Sequence, residues 1–384
     1  MECSDQKCSC DNSDELVALQ LKVPTNDCGC QNANSKTISD LKNKRYILDE
    51  IQTPAGMIPR ISSQLNIQDY LGAFKVRWGI RRYYYRVDPG LYAVGIPNER
   101  SDVFVTANYK LSFDLVRKNL NGMNVWLLVL DTKGINVWCA AGKGTFGTKE
   151  LVWRIQLTSL DKIVIHRRLI LPQLGATGVA AHLVKEASGF TIIYGPVRAT
   201  DIPAFVQASY KASNEMRRVN FDWYDRLKLI PNDIIYNLRY LFSMFIVISV
   251  LSGINTNGYS IQQVLRNSIP IAKIIAAGYF AGLVLTPSLL PYIPTRNFSF
   301  KGLIIGVIVS VLLFMSHSLD GSILTQFAEI FFILSFSSFL AMNFTGASTY
   351  TSLAGVKKEM KIAVPVQILF AALAVILIVL EITI

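Results

Sequence analysis

Apolar and polar positions divide this chain into two parts that meet near Arg239. Beyond that point long apolar segments recur with little interruption, at residues 238–254, 271–290, 303–315, 323–342 and 362–380. A helix needs about 20 mostly apolar residues to cross a bilayer, so the pattern predicts five membrane-spanning helices, the third of them the weakest. Before the division the apolar runs are brief and bounded by turn residues. Val125, Trp126, Leu127, Leu128, Val129 and Leu130 read as a buried strand, and Asp131 to Gly134 supply the turn that ends it.

Further extended pieces are predicted at 103–106, 163–165, 169–171 and 191–194, and helices at 112–120, 179–187 and 202–217, the last capped by Asp201. Thr148 is placed to cap another helix over 149–156, with Leu151, Val152 and Ile155 on one face. Strands alternating with helices imply an α/β domain with a mostly parallel sheet covered on both faces. Three loops, over 131–148, 172–178 and 195–198, then gather at one edge of that sheet, where ligands of open α/β sheets bind. Their glycines and small residues let backbone approach a large ligand. The expected boundaries are a polar tail over 1–50, the α/β domain over 51–225, a linker over 226–237 and a membrane domain over 238–384.

Charge adds an orientation. The net charge is +11, and one side of the expected membrane holds Arg226, Lys228, Arg239, Arg296, Lys301, Lys357, Lys358 and Lys361 against Arg266 on the other. The side with the excess is expected to be cytoplasmic, which makes the chain a multi-pass inner-membrane protein with its soluble domain in the cytoplasm. Ionisable groups inside the spans are few, Lys273 near an end and Glu329 well inside, which favours an anchor over a transporter. Arg77, Arg81, Arg82 and Arg86 form a second cluster, interleaved with Trp78, Tyr83, Tyr84 and Tyr85. Single-stranded nucleic acid, acidic lipid or an acidic protein all suit such a surface. Without a nucleic-acid fold signature, the protein partner ranks first and no nucleic acid is expected.

Five of the six cysteines, Cys3, Cys8, Cys10, Cys28 and Cys30, fall near the start of the chain. That segment lacks the basic end and apolar core of a signal peptide, so its thiols are expected to be cytoplasmic and reduced. Their spacing fits no iron–sulfur or zinc pattern. Two Cys-x-Cys pairs suit a soft ion in low coordination, and a polar tail with incidental cysteines is the plainer alternative.

The sixth cysteine lies in Asn136-Val137-Trp138-Cys139-Ala140-Ala141-Gly142-Lys143-Gly144-Thr145-Phe146-Gly147-Thr148. Residues 142–147 satisfy G-x-G-x-x-G, which cradles a dinucleotide when it follows a strand directly. Here Asn136 to Ala141 intervene, and no acidic residue ends a strand at the expected distance. A free cysteine is also commonly an inert buried thiol.

Taken whole, the motif resembles the signature of the mercury-methylating corrinoid proteins, membrane-bound relatives of the corrinoid iron–sulfur protein of the acetyl-CoA pathway. The resemblance extends through residues 88–95, 105–114, 171–182 and 194–201 and the membrane segment Asn343-Phe344-Thr345-Gly346, and covers nearly everything from about residue 70 onward. Thr177 stands where that family's loop is expected to carry a proline, and the cysteine-rich tail is not part of its pattern.

The resemblance implies a Rossmann-like corrinoid-binding domain with a cap helix, followed by five transmembrane helices. By the same match Cys139 is the lower axial ligand of the corrinoid's cobalt. Asn136, Val137, Trp138, Ala140 and Ala141 hold the cap; Gly142, Lys143, Gly144 and Thr145 adjoin the ring or its side chains, with Gly175 and Gly178 completing the cofactor site. His166, His182 and His317 form no ligand cluster. The implied reaction passes a methyl group from cobalt to mercury(II), giving methylmercury, and electron donation from a soft thiolate trans to the methyl group would favour it. Trp138 would shield the sulfur from water, and Lys143 would keep the thiolate charged. The implied partners are a ferredoxin-like protein with two 4Fe-4S clusters as electron donor, docked on the basic cluster near Arg77, and a one-carbon methyltransferase as methyl source. Two other classes stay open: a corrinoid methyl carrier of acetyl-CoA or one-carbon metabolism with a non-mercury acceptor, and a nucleotide-binding sensor on a membrane anchor.

Overall fold

Seven strands of the computed structural model join one sheet: β1 (Ile47–Thr53), β2 (Gly56–Ile61), β3 (Gly90–Val94), β4 (Val103–Ala107), β5 (Val125–Leu130), β6 (Arg168–Leu171) and β7 (Thr191–Tyr194). The structure describes residues 44–256, 258–344 and 353–383. Cys3, Cys8, Cys10, Cys28, Cys30, Thr345 and Gly346 lie outside them. The strand order is β1-β2-β3-β5-β4-β6-β7. From β5 through β4 and β6 to β7 all pairs are parallel, and β2 is parallel to β3; β3 against β5 and the β1–β2 hairpin are antiparallel. The sheet is therefore mixed and mostly parallel.

Helices cover both faces. In chain order they are α1 (Ile67–Arg77), α2 (Lys110–Asn119), α3 (Val137–Gly142), α4 (Thr148–Leu157), α5 (Leu160–Ile163), α6 (Ala181–Ser188) and α7 (Ile202–Gln207). Side chains alternate across a strand, and β5 shows the consequence. Trp126, Leu128 and Leu130 enter the core shared with Leu151, Val152 and Val184 of α4 and α6. Val125, Leu127 and Val129 enter the opposite core with Phe113 and Phe205 of α2 and α7.

Several boundaries differ from the sequence reading. Strands β1 to β3 were not predicted, and β1 starts at Ile47, inside the segment assigned to the tail; β2 carries Pro59, which has no N–H for a ladder. Residues 163–165 form no strand: α5 ends at Ile163, and Ile163 and Val164 are apolar because they are buried. The helix expected over 202–217 stops at Gln207, because Ser209 and Tyr210 take left-handed backbone and the Tyr210 hydroxyl donates to Asp102. Asp201 makes no side-chain cap there.

The expected linker over 226–237 is also helical, as α8 (Trp223–Leu227) and α9 (Ile230–Leu251). It opens the first of the five stretches among the described residues that are long and apolar enough to cross a membrane, Trp223–Leu251, Ile261–Leu289, Phe298–Met315, Ile323–Asn343 and Gly355–Thr383. The second contains α10 (Ile261–Phe280), a π-turn and α11 (Thr286–Leu289); the others are α12 (Phe298–Met315), α13 (Ile323–Asn343) and α14 (Leu353–Thr383). Gly302 and Gly306 let α12 approach α13 closely: an added Cβ would lie 2.5 Å from the Ala341 Cβ and 2.3 Å from the Ser337 Oγ, respectively. Several polar groups at one end find partners inside the protein, although the Ser299 hydroxyl and the Arg226 Nε are buried without one. Lys301 donates to the carbonyls of Leu290 and Ile293, and Glu359 accepts from the Ser299 N–H at 2.6 Å. At that end Phe221 and Leu229 pack with Leu290, Phe298 and Phe344, and Arg226 donates to the Phe221 carbonyl at 2.8 Å.

Candidate functional site

The carboxyl ends of the parallel strands β4 to β7 lie on one edge of the sheet, and the three glycine-rich loops follow β5, β6 and β7. Asn108, just beyond β4 and buried, organises the first of them. Its side-chain oxygen accepts from the Thr132 N–H, the Thr132 hydroxyl and the Gly134 N–H, and its amide donates to Asp131 at 3.0 Å. Glu150 of α4 accepts from the Asp131 N–H at 2.8 Å and holds Arg154 at 2.7 Å. Burial would raise the Asp131 carboxyl, but hydrogen bonds from Lys133 and the charges of Lys133 and Arg154 outweigh it and hold the group below the usual carboxylate range. Neither Asn108 nor Glu150 carried a role in the sequence reading. The signals for Asn108 were a polar residue directly after an apolar strand and its place in the 105–114 stretch of the resemblance.

The fixed loop launches α3, and Asn136 caps it: its side-chain oxygen accepts from the Cys139 N–H at 2.9 Å. Helical spacing then splits the motif. Val137, Ala140 and Ala141 are buried in the core shared with α4. Trp138, Cys139, Gly142, Lys143 and Gly144 are exposed on the other side. Cys139, the one cysteine among the described residues, is exposed, which overturns the inert buried thiol. Trp138 beside it is 40% exposed.

Beyond α3 the glycine run is a helix–turn–helix connection, not a strand-to-helix loop. Gly142 closes α3, Gly144 takes a φ of 77°, and Thr145 hydrogen-bonds back to the Ala140 carbonyl. The dinucleotide reading loses its geometric basis here. Thr148 does not cap α4 either: Gly147 occupies that position, while the Thr148 hydroxyl accepts from the Ala180 N–H at 2.9 Å and ties two loops together.

The glycines divide by surroundings. A Cβ on Gly142 or Gly144 would meet nothing within 4 Å, whereas one on Gly175 would lie 2.5 Å from the Phe146 ring and one on Gly178 2.2 Å from the Phe146 carbonyl. Gly175 and Gly178 thus seat buried Phe146 behind α3, and Gly142 and Gly144 line open space in front of it. Phe146, also without a role in the sequence reading, pins the turn from behind. An open cavity of about 370 Å³ lies beside it, lined by Asp131, Lys133, Gly144, Thr145, Lys149 and Trp153 among others. Among the described residues no three His, Cys, Asp or Glu side chains converge as a metal site.

This arrangement can present one soft sulfur donor beside an indole, on the open side of α3 shared with Gly142, Lys143 and Gly144. The donor, the open face at Gly142 and Gly144 and the cavity beside them fit a large planar group that carries a thiophilic metal. Comparison with known proteins points the same way. Residues 79–206 match the family described as CO dehydrogenase/acetyl-CoA synthase delta subunit. The chain is 32% identical over 123 residues to the acetyl-CoA decarbonylase/synthase complex subunit gamma of Methanopyrus kandleri, covering 32% of this chain and 26% of that protein. It is 32% identical over 126 residues to the corrinoid/iron–sulfur protein large subunit of Moorella thermoacetica, covering 32% of this chain and 28% of that protein. The chain spans about a quarter of the length of these relatives, and the part that carries Cys139 is similar to corrinoid/iron–sulfur and acetyl-CoA synthase subunits.

Proposed function

We propose that this chain is a membrane-anchored, corrinoid-dependent methyltransferase of one-carbon chemistry, with Cys139 as the lower axial ligand of the cobalt. The observation that carries the reading is the exposed Cys139 thiol on a helix capped by Asn136, within the segment similar to corrinoid proteins. A bound corrinoid supplies a cobalt centre that accepts and releases a methyl group.

The residues of the chain then have distinct tasks. Asn136 fixes the helix that presents the sulfur. Trp138 excludes water from one side of it, and the backbone of Gly142 and Gly144 admits the ring plane. Lys143 places a cation one turn from the sulfur, exposed on the same side of α3. Val137, Ala140, Ala141 and Thr145 hold the cap to the sheet, and Gly175 and Gly178 support it through Phe146.

For the acceptor we propose mercury(II), with methylmercury as product. The complete motif around Cys139 supports this choice, because a thiolate there would supply a soft, electron-rich donor to the cobalt and so suit an electrophilic acceptor. The second reading is a methyl carrier with a non-mercury acceptor, favoured by the names of the matched relatives. In either case the proposed partners are a ferredoxin-like protein with two 4Fe-4S clusters and a one-carbon methyltransferase, with the α/β unit on the cytoplasmic side of the inner membrane.

The test is methylmercury formation from mercury(II) by anaerobic cells that express the chain with its ferredoxin partner, comparing wild type with Cys139→Ala at equal membrane abundance. Product from wild type and none from Cys139→Ala supports mercury methylation through Cys139. Bound cobalt without product in wild type leaves the carrier with another acceptor. Purification without cobalt sinks both.

A further inference from the structure

Helix α1 turns its apolar stripe away from its own domain. Ile67 (76% exposed), Tyr70, Leu71 and Phe74 (58%) recur at helical spacing and are all exposed, whereas Asp69 and Val76 are the buried residues of α1. Lys75 and Arg77 flank the stripe. The face is rigidly held. Asp69 takes part in a capping box with Asn66 and is bound by Arg117 at 2.7 Å and Lys110 at 2.6 Å. Past the helix, Ile80, Tyr83 and Tyr84 continue the exposed apolar surface among Arg81, Arg82 and Arg86.

This surface abuts the start of the first long apolar helix. A Cβ on Gly79 would lie 3.5 Å from the Asn232 Oδ1 and 3.9 Å from Ile235, and Arg82 interacts electrostatically with Asp233. On the next turns of α9, exposed Tyr236 and Tyr240 carry Arg239 over their rings at 5.6 and 4.5 Å. Tyrosines and a long cation at such a level are the usual residents of a membrane–water interface.

We propose that α1 and residues 77–86 form an interfacial membrane-binding element, in which Ile67, Leu71 and Phe74 enter the acyl boundary of an acidic bilayer. Lys75, Arg77, Arg81 and Arg82 then meet its anionic headgroups. The inference rests on reading residues 223–383 as membrane-spanning. It favours lipid over the acidic protein partner because the stripe is continuous with the point where α9 enters the membrane, and because a helix with an apolar face bordered by cations is built for that boundary. The same segment touches the site loop, since a Cβ on Gly134 would lie 3.1 Å from the Tyr83 carbonyl. The membrane contact would thereby orient the Cys139 face relative to the bilayer.

The experiment places the full chain in nanodiscs of phosphatidylcholine alone or mixed with phosphatidylglycerol, each doped with a lipid carrying a photoactivatable diazirine in its acyl chain, and maps the labelled peptides. Label is expected at 67–74 as well as in the five apolar helices. It should rise several-fold at 67–74 with acidic lipid, and fall to background in the Leu71→Glu, Phe74→Glu double variant while the helices keep theirs. Labelled helices with 67–86 at the level of the sheet peptides would overturn the proposal and leave the membrane-spanning reading intact. Cross-linking of 67–86 to an acidic protein in native membranes, without lipid label, would assign the surface to that protein and also overturn it. Unlabelled helices would overturn both.

Discussion

The side-chain oxygen of Asn136 accepts a hydrogen bond from the backbone N–H of Cys139 at 2.9 Å. One cap thus sets both the start of α3 and the backbone position of the only cysteine among the described residues. Replacing Asn136 by Ala should cost about 1 kcal/mol of local stability, whereas Asn136→Asp should retain the cap. Amide hydrogen exchange of residues 137–142 would show it: faster in the Ala variant, near wild type in the Asp variant.

Two glycines of the site should respond in opposite ways. Gly178→Ala drives a Cβ against the Phe146 carbonyl, and such overpacking should cost about 1–3 kcal/mol and loosen the loop behind α3. Gly142→Ala meets open space and should leave the thermal unfolding temperature unchanged or slightly higher. If the ring plane lies over Gly142, the same methyl group should reduce cobalt retained per chain. Unchanged cobalt content in Gly142→Ala would move the ring elsewhere.

Arg117 is fully buried and holds Asp69 at 2.7 Å and Asp114 at 2.8 Å. Burial would raise Asp69, but Lys110, the Asn66 N–H and the charge of Arg117 outweigh it, so its carboxyl sits below its ordinary value of 3.8. A folded-state value below the unfolded one gives stability that is present above the unfolded value and lost as pH falls through the folded one. Asp69→Ala should therefore cost about 3 kcal/mol at neutral pH. The gap to wild type should close in acid, below the ordinary carboxylate range. Denaturant titrations followed by tryptophan fluorescence at neutral and acid pH would measure both values.

In the apolar region, Gly302 stands where α12 crosses α13, with the Ser337 hydroxyl donating to its carbonyl at 3.0 Å. Gly302→Leu should separate the two helices and lower the melting temperature in detergent. Val307→Leu, on an exposed part of α12, should not. Equal melting temperatures for the two variants would show that the crossing does not limit stability.

Much of this chain was legible from one dimension. The β5 run and the long apolar helices follow from local composition and spacing, the mostly parallel sheet and the loops at its carboxyl edge from the alternation of elements, and the weight placed on Cys139 from the resemblance of its motif. The first two are properties of neighbouring residues, so periodicity reports them directly. The misses share a cause. Ile163 and Val164 are apolar to fill the core rather than to form a strand. Thr148 has a capping residue's chemistry, but its hydroxyl is taken by Ala180, 32 positions away. Strands β1 to β3 depend on partners distant in sequence, and β3 runs against its neighbour β5.

Residue identity by itself therefore determined the class of the α/β unit, the number of apolar helices and the presence of a cysteine with a glycine-rich turn. Only tertiary structure decided which side of that cysteine is open. Burial of Val137, Ala140 and Ala141 turns Trp138 and Cys139 outward, and Phe146 packed on Gly175 and Gly178 holds them there. The same is true of α1, whose apolar stripe carried no assignment in the sequence reading. It is exposed because buried Arg117 and partly buried Lys110 claim Asp69 on its opposite face. Hydrophobic periodicity names a face, and long-range pairing chooses which way that face points.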